Sequence, residues 1–180
     1  MRRIAGLMMV AVLGCWPLGV GAAELRAGFG VFLVAPHGVD LSSSVWPVGQ
    51  RWSYGLRYLR WLDTFTDPFS GTDLTETTET RAGLTFDYLF EPDAPASWYL
   101  SAALYRATRS EHSLVTAETE TDAVTSPYVG GGYTANLGDR FYYDIGLLVS
   151  PGAELKTSTS VSSEESSASF EAQLILGMRF

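Results

Sequence analysis

Past residue 23 the chain has no cysteine, and its one cysteine, Cys15, falls within an apolar leader. That excludes a small secreted domain held by disulfides, and it excludes thiolate metal or redox chemistry. Positive charge is also scarce, with twelve Lys and Arg against twenty Asp and Glu, and only two His. A chain of that balance is repelled by nucleic acid and by anionic lipid surfaces, so neither is expected as an attractive partner. Beyond the leader, no run approaches the eighteen or so apolar residues that a membrane-spanning helix needs. Any membrane residence must therefore come from strands.

The leader has the parts of an export signal. Arg2 and Arg3 precede an apolar run from Ile4 to about Val20, and Gly21, Ala22 and Ala23 follow before Glu24. Gly14 and Pro17 interrupt the run, which favours cleavage over anchoring. Lipidation at Cys15 is the competing reading, but Leu13-Gly14 before it and Trp16-Pro17 after it fit poorly. Residues 1–23 are thus expected to be a signal peptide and 24–180 a single domain of about 157 residues. Without Arg2 and Arg3, ten basic side chains face twenty acidic ones, a formal charge of about −10.

What the domain does have is alternation. In its last thirteen residues Ala168, Phe170, Ala172, Leu174, Leu176, Met178 and Phe180 fall on one side of an extended chain. Ser169, Glu171, Gln173, Gly177 and Arg179 fall on the other, with Ile175 the apolar intruder. Phe141, Tyr143, Ile145, Leu147 and Val149 oppose Tyr142, Asp144, Gly146 and Leu148. Val129, Tyr133, Ala135 and Leu137 oppose Gly130, Gly132, Thr134 and Asn136, and Ala82, Leu84, Phe86, Tyr88 and Phe90 oppose Arg81, Gly83, Thr85 and Asp87. Trp52, Tyr54, Leu56, Tyr58 and Leu62 oppose Ser53, Gly55, Arg57 and Asp63. Leu25, Ala27, Phe29, Val31 and Leu33 oppose Arg26, Gly28 and Gly30. In the strand from Ser97 to Arg109 two sets compete, and the set Trp98, Leu100, Ala102 and Leu104 is taken as outward because it lets Arg106 snorkel at a rim.

These are seven strands, and single-chain bacterial barrels have an even number. The eighth is placed at Val39 to Trp46, between Pro36-His37-Gly38 and Pro47-Val48-Gly49-Gln50. Short turns near 47–50, 91–96 and 136–139 then alternate with long loops near 66–77, 111–124 and 151–166. The expected fold is all-β: an eight-stranded antiparallel up-and-down transmembrane β-barrel with both termini on the short-turn, periplasmic side. The apolar column would meet lipid. The column facing the axis is rich in glycine, leaving room for Phe32, Trp61, Tyr105 or Tyr142 to reach across. It also carries Arg26, Arg57, Arg81, Asp87, Asp144, Glu171 and Arg179, expected to form a paired charge network in a plugged lumen.

At this point the chain resembles the small eight-stranded outer-membrane barrels, the superfamily of the OmpA transmembrane domain and the OmpX and OmpW types. The resemblance rests on the leader, the strand and loop rhythm over 24–180, and the closing Gln173-Leu174-Ile175-Leu176-Gly177-Met178-Arg179-Phe180. It implies residence in the outer membrane of a Gram-negative bacterium, in contact with lipid and lipopolysaccharide. It also implies that Leu174, Leu176, Met178 and Phe180 act as the signal read by the outer-membrane barrel assembly machinery.

Chemistry is harder to find. Some barrels of this membrane modify lipid A, so Ser110 and His112, on the same side of an extended chain, are the candidate nucleophile and base, without a recognisable motif around them. His37 and His112 are otherwise polar rim residues. The loop carboxylates, among them Asp67, Asp73, Glu118 and Glu120, lack the spacing of a calcium loop, so no metal and no cofactor are expected. Trp52, Tyr54, Trp98, Tyr99, Phe141 and Tyr143 at turn-proximal strand ends are expected to form an aromatic girdle at the headgroup level. The expected role is structural, or interactive with an extracellular ligand, for a monomeric, non-enzymatic barrel. The alternatives are a narrow small-solute channel, a lipid A-modifying enzyme, and a soluble periplasmic barrel of lipocalin type with its apolar faces turned inside.

Overall fold

The computed structural model describes residues 23–30, 38–150, 154–158, 163–167 and 170–180. The leader, the segment holding Val31, Phe32, Leu33 and His37, and Ala168 and Ser169 lie outside the described residues. Strands β1 (Ala23–Gly30), β2 (Gly38–Pro47), β3 (Trp52–Thr66), β4 (Asp73–Leu89), β5 (Ala96–Ser113), β6 (Thr119–Leu137), β7 (Phe141–Val149), β8 (Glu154–Ser158), β9 (Ser163–Ser167) and β10 (Phe170–Arg179) follow one another, with no helix among the described residues. Eight of them close an antiparallel barrel in the order β1-β10-β7-β6-β5-β4-β3-β2, while β8 and β9 pair only with each other. The ring is sealed where β1 meets β10, with Arg26 opposite Arg179 and Gly30 opposite Ile175. Closure matters because it leaves no row of unpaired backbone N–H and C=O groups at that height.

The period of two decides which side chain faces where. Leu84, Phe86, Trp98, Leu100, Leu104, Ile145 and Leu176 are each 47–65 % exposed, whereas Arg57, Glu79, Tyr105 and Glu171 are at most 5 % exposed. The barrel is inside-out relative to a soluble protein: its charges are packed at the axis and its large apolar side chains form the outer wall. Strand β5 takes the expected facing, with Tyr99, Ala103, Tyr105 and Ala107 inward. Strand β2 lies where the turn residues place it. Its Asp40, Ser42, Ser44 and Trp46 share the inward parity that Asp40 and Trp46 confirm through their lumenal partners.

The expected loops at 66–77 and 111–124 are largely strand. β3 and β4 stay paired up to Thr66 and Asp73, and β5 and β6 up to His112 and Thr119. These four strands have 15, 17, 18 and 19 residues, against 8 to 10 in β1, β2, β7 and β10. Among the described residues, one side of the barrel is therefore a four-stranded wall that rises past the other strands of the ring. Strand β8 lies against β5 and β6. Ala23, Phe180 and the short turns share one rim, the near rim, and the wall rises from the opposite, far rim.

Two turns of the same design cap the wall. In the β3–β4 turn the Gly71 N–H donates to the Asp67 carbonyl at 2.9 Å and the Asp67 N–H to the Thr72 carbonyl at 2.9 Å. In the β5–β6 turn the Ala117 N–H donates to the Ser113 carbonyl at 3.0 Å and the Ser113 N–H to the Glu118 carbonyl at 2.9 Å. The first residue of each also caps the turn from its side chain. The Asp67 carboxylate accepts from the Phe69 N–H and the Ser70 hydroxyl, and the Ser113 hydroxyl accepts from the Thr116 N–H. The Phe69 N–H, with the Ser70 hydroxyl, holds the Asp67 carboxyl below the usual aspartate range.

Each turn closes through a left-handed residue, Gly71 at φ +68° in one and Ala117 at φ +58° in the other. Glycine accepts that conformation freely and alanine does not. Replacing Ala117 by Gly is therefore expected to raise stability by about 1 kcal/mol, less what the extra freedom of Gly in the unfolded chain removes. Urea midpoints of the refolded protein in detergent check this, and a lower midpoint for Ala117→Gly would contradict it.

Candidate functional site: the lumen and the projecting wall

Arg57 organises the middle of the lumen. Its guanidinium meets Asp40 in a two-point contact, Nε to Oδ1 at 3.0 Å and Nη2 to Oδ2 at 2.6 Å. Its Nη1 donates to Glu171 Oε1 at 2.5 Å and also to Gln173 Oε1. Gln173 Nε2 then donates to Asp144 Oδ1 at 3.0 Å and to the Tyr99 hydroxyl at 2.6 Å, while Tyr99 donates to Asp144 at 2.6 Å. On the other side, the second Glu171 oxygen lies 3.7 Å from Arg81. Arg81 is itself held by Glu79 at 3.0 Å and stacks 4.9 Å above the centre of the Trp61 ring. One continuous network thus joins β2, β3, β4, β5, β7 and β10 from within.

A second cluster lies toward the near rim. Arg26 is pinned between Glu24 at 2.5 Å, the Thr134 hydroxyl at 3.1 Å and the face of Trp46 at 3.6 Å, with the Tyr142 ring at 5.0 Å. Arg179 shares the Glu24 carboxylate. This cluster takes in β1 and β6, so every barrel strand contributes to one polar network or the other. Of the expected lumenal charges, Arg26, Arg57, Arg81, Asp144, Glu171 and Arg179 all enter these contacts. Asp87 accepts from Ser53 at 3.2 Å beside them. Asp40, Glu79 and Glu24 complete the pairing. Sequence parity alone could have found them, since each stands an even number of residues from an inward neighbour on its strand.

The charged column led to the expectation of a polar lumen, and the lumen departs from it in one place. Tyr105, Tyr128, Leu148, Ala103 and Ala107 pack together as a buried apolar cluster, joined by Val124. Tyr105 and Tyr128 lie with ring centres 5.2 Å apart. Tyr105 is in register with Gly83 and, through it, with Arg57, and the buried Glu79, Arg109 and Glu111 stand beyond it toward the far rim, so the cluster sits beside the ionic network. Among the described lumenal residues, Arg57, Asp87, Asp144, Tyr142, Ser42 and Gln173 line a cavity of about 50 Å³. That is room for a few water molecules. The rest is filled by tyrosines lying over glycines. A Cβ at Gly28 would stand 2.7 Å from the Tyr142 hydroxyl, and one at Gly146 would stand 2.6 Å from the Tyr99 hydroxyl.

Tyr99 therefore corrects the expected girdle: it is 3 % exposed and belongs to the lumenal network. The error came from grouping it with Trp98 at a strand end, although adjacent residues in a strand face opposite ways. Trp52, Trp98 and Phe141 do stand on the outer face at the near rim, 52–65 % exposed, with Tyr54 and Tyr143 on the same face. They are joined by Tyr88, Phe90 and Tyr133, which the sequence reading did not assign to the rim. Edge-on contacts link Trp52 to Tyr88 at 4.8 Å, Tyr88 to Phe90 at 5.8 Å and Trp98 to Tyr133 at 5.1 Å. On the last strand, Leu176, Met178 and Phe180 face outward and are exposed, and Leu174 shares their face half-buried.

The apolar outer band also has an upper edge. Outward positions on β5 run Trp98, Leu100, Ala102, Leu104 and then Arg106. Arg60 on β3, opposite Thr80, stands at a similar height. Both arginines are exposed. Above them the outer face turns to Thr64, Thr78, Thr108, Ser110 and Thr121. The Trp98 to Arg106 interval corresponds to about 20 Å along the barrel axis for a strand tilted by some 40°.

Ser110 and His112 lie on this outer polar face, as their shared parity predicts. They are not hydrogen-bonded to each other: the Thr121 hydroxyl donates to Ser110 at 3.2 Å, and His112 Nδ1 meets the Thr119 hydroxyl at 2.9 Å. The Glu111 carboxylate between them points to the opposite, buried face.

No family model matches the chain, and no curated protein matches it. Solved structures do. The N-terminal β-barrel domain of Pseudomonas aeruginosa OprF superposes with a TM-score of 0.53 at 16 % identity, over 88 % of this chain and 97 % of that one. The attachment invasion locus protein Ail of Yersinia pestis, in complex with the heparin analogue sucrose octasulfate, gives 0.53 at 14 % identity, over 88 % and 97 %. A major outer membrane protein of Thermus thermophilus gives 0.55 at 14 % identity, over 89 % and 100 %. The chain has the fold of the small eight-stranded outer-membrane barrels.

Arg57 is the lumenal residue whose loss leaves most behind. Arg57→Leu strands Asp40 and Glu171 as buried carboxylates without their main counter-charge, an imbalance that costs about 3–5 kcal/mol. The triple replacement of Arg57, Asp40 and Glu171 by leucine is expected to recover most of that loss, because it removes charge and counter-charge together. Urea unfolding in lipid vesicles, followed by gel migration, checks both. A neutral Arg57→Leu would overturn the account of the network.

Proposed function

We propose that the protein spans a bacterial outer membrane as a non-conducting barrel, termini toward the periplasm, and carries its projecting wall on the cell surface as an interaction module. The observation that carries this reading is the inside-out distribution of side chains in a closed barrel. An apolar outer band, edged by aromatic rings at the near rim and by Arg60 and Arg106 at the far side, encloses a lumen of paired charges. Lipid is the solvent that this surface fits. A soluble barrel of lipocalin type would need the opposite distribution.

Orientation follows from the same features. Short turns, Ala23 and Phe180 share the near rim, and the tall wall rises from the other, which is how outer-membrane barrels sit. At the upper edge of the band, Arg60 and Arg106 stand where the phosphates of outer-leaflet lipopolysaccharide would lie, and guanidinium groups bind phosphate well. The exposed Leu176, Met178 and Phe180 column supports recognition by the barrel assembly machinery, and the lipid it faces afterwards is apolar.

Passage of solutes is the second reading, favoured by the polarity of the lumen. Against it stand the apolar cluster around Tyr105 and Tyr128 and the small size of the central cavity. The heparin analogue on Ail does not transfer as a ligand class, since the wall of this chain carries carboxylates where a polysulfate would need cations. A lipid A-modifying activity has Ser110 and His112 as its best residues. Their separate partners on the outer face of the wall give that reading little support.

Extraction with the membrane fraction, and heat-modifiable migration on a gel, test membrane residence; recovery in the soluble fraction would overturn it. Leu84, in the middle of the band, is the residue to change: Leu84→Arg is expected to cost about 2–4 kcal/mol in bilayers. Planar-bilayer recordings of the wild type are expected to show no conductance steps, and stable unitary currents would replace the non-conducting reading with the channel one.

A further inference from the structure

The two capping turns of the wall put an apolar side chain at the same place. Phe69 is the second residue after Asp67 and Val115 the second after Ser113, and each follows the residue whose side chain closes its turn. Phe69 is 98 % exposed and Val115 is 62 % exposed. The tips are neighbours, because the Leu114 N–H donates to the Leu74 carbonyl at 2.8 Å across the β4–β5 junction. Leu114 and Phe65, about half exposed, add to the same end of the wall.

A fully exposed phenylalanine has no folding role at a turn that is already closed by backbone and side-chain hydrogen bonds. Its turn is held, so the ring is presented in a fixed frame, and little order remains to be imposed when a partner meets it. Rigid aromatic anchors of this kind are the residues that carry most binding energy in interfaces.

The surroundings state which partner. Segments 62–78 and 110–124 together contain eight carboxylates, of which Glu111 is buried on the inner face, and no Lys or Arg. Asp73, Glu76, Glu118 and Glu120 are exposed around the apolar apices. A surface of that sign, standing well clear of the membrane, attracts cations over a Debye length and repels lipopolysaccharide and acidic polymers.

We infer that the paired tips form a docking surface for a cationic protein segment, with Phe69 and Val115 seated in apolar positions flanked by lysine or arginine. The inference rests on the surface-interaction reading above and names the partner class of that wall. It is a protein and not a lipid surface that is proposed, since the tips point away from the bilayer and share its charge.

The test uses the full mature chain refolded in phosphatidylcholine nanodiscs and two synthetic decapeptide libraries. Both have variable apolar central positions, one flanked by Lys and Arg, the other by Asp and Glu. Binders are expected from the basic library alone, weakening with added salt. Phe69→Ser is expected to weaken the best binder about tenfold or more, and Val115→Ser to weaken it less. Phe69 is 98 % and Val115 62 % exposed among the described residues, so both variants are expected to keep heat-modifiable migration, which separates lost binding from misfolding. No binder from the basic library, equal binding from the acidic one, or binding unchanged in Phe69→Ser would each overturn the proposal. Phe69-dependent self-association of the protein in detergent would also overturn it, assigning the tips to a second copy of this chain. Orientation is read separately, by labelling a Ser70→Cys variant on intact cells with a membrane-impermeant maleimide. Failure to label would sink the cell-surface reading even if the peptides bind in nanodiscs.

Discussion

Everything in this barrel is subject to the narrowness of an eight-stranded ring. Such a ring is just wide enough for its inward side chains to fill it, so any charge placed there must find its partner across the axis and not in water. Arg57 meets this constraint with Asp40 from β2 and Glu171 from β10 at once, and hands its remaining contact through Gln173 to Asp144 and Tyr99. The partners come from different strands. A network of this kind therefore acts as internal strapping: with Arg26 and Glu24 at the near rim, it ties each strand of the ring to others that are not its neighbours.

The same narrowness explains the distribution of glycine and tyrosine. A ring cannot hold Tyr99 and Tyr142 and also a side chain on every facing position, so the positions beneath those rings are glycine, Gly146 under one and Gly28 under the other. The glycines are a consequence of what must cross the lumen, and β-strand stability lost at them is offset by the rings that fill the space. Outside, the constraint is reversed. The outward column has no partner within the molecule, so it takes the character of its solvent: apolar in the band, aromatic at the near rim, threonine and arginine above.

Residues that obey this division were legible from alternation alone. Strands β1, β7 and β10 and the lumenal placement of Arg57, Asp144 and Glu171 follow from a period of two with one apolar face, whereas β2 followed from the even strand number and its flanking turns, and the facing of β5 from the reach of Arg106 to a rim. The upper halves of β3 to β6 did not show themselves, for a physical reason. Where the wall leaves the band, neither face meets lipid and only one is covered, so the hydrophobic contrast that marks a strand is lost. What remains at Thr75, Thr77 and Thr78, or at Thr119, Thr121 and Thr125, is β-branched polar sequence, whose strand preference reflects shape and not burial. Tyr99 was misplaced because position along the strand was weighed over parity. The apolar lumenal cluster was missed because inward Leu148 and Tyr128 read as exceptions in a column otherwise made of charge, hydroxyl and glycine.

The height of the wall also has a structural logic. Four strands that extend past their ring lose the support of cross-lumen contacts, and a free two-stranded ribbon is only marginally stable. Here β3–β4 and β5–β6 are not separate ribbons. β4 and β5 stay paired to Thr75 and Ser113, so the projection is one four-stranded sheet. Its inner face is sealed by Thr75, Glu79, Arg109, Glu111 and Ser113, all at most 5 % exposed, with Arg109 in register between Glu79 and Asp122. The lumenal device of alternating cation and carboxylate is carried upward beyond the ring, and it keeps the sheet stiff as far as its tips. Because the stiffness reaches the turns, their exposed side chains stand at fixed positions. A flexible loop of the same composition would lose that order, and with it much of the free energy of any contact it made.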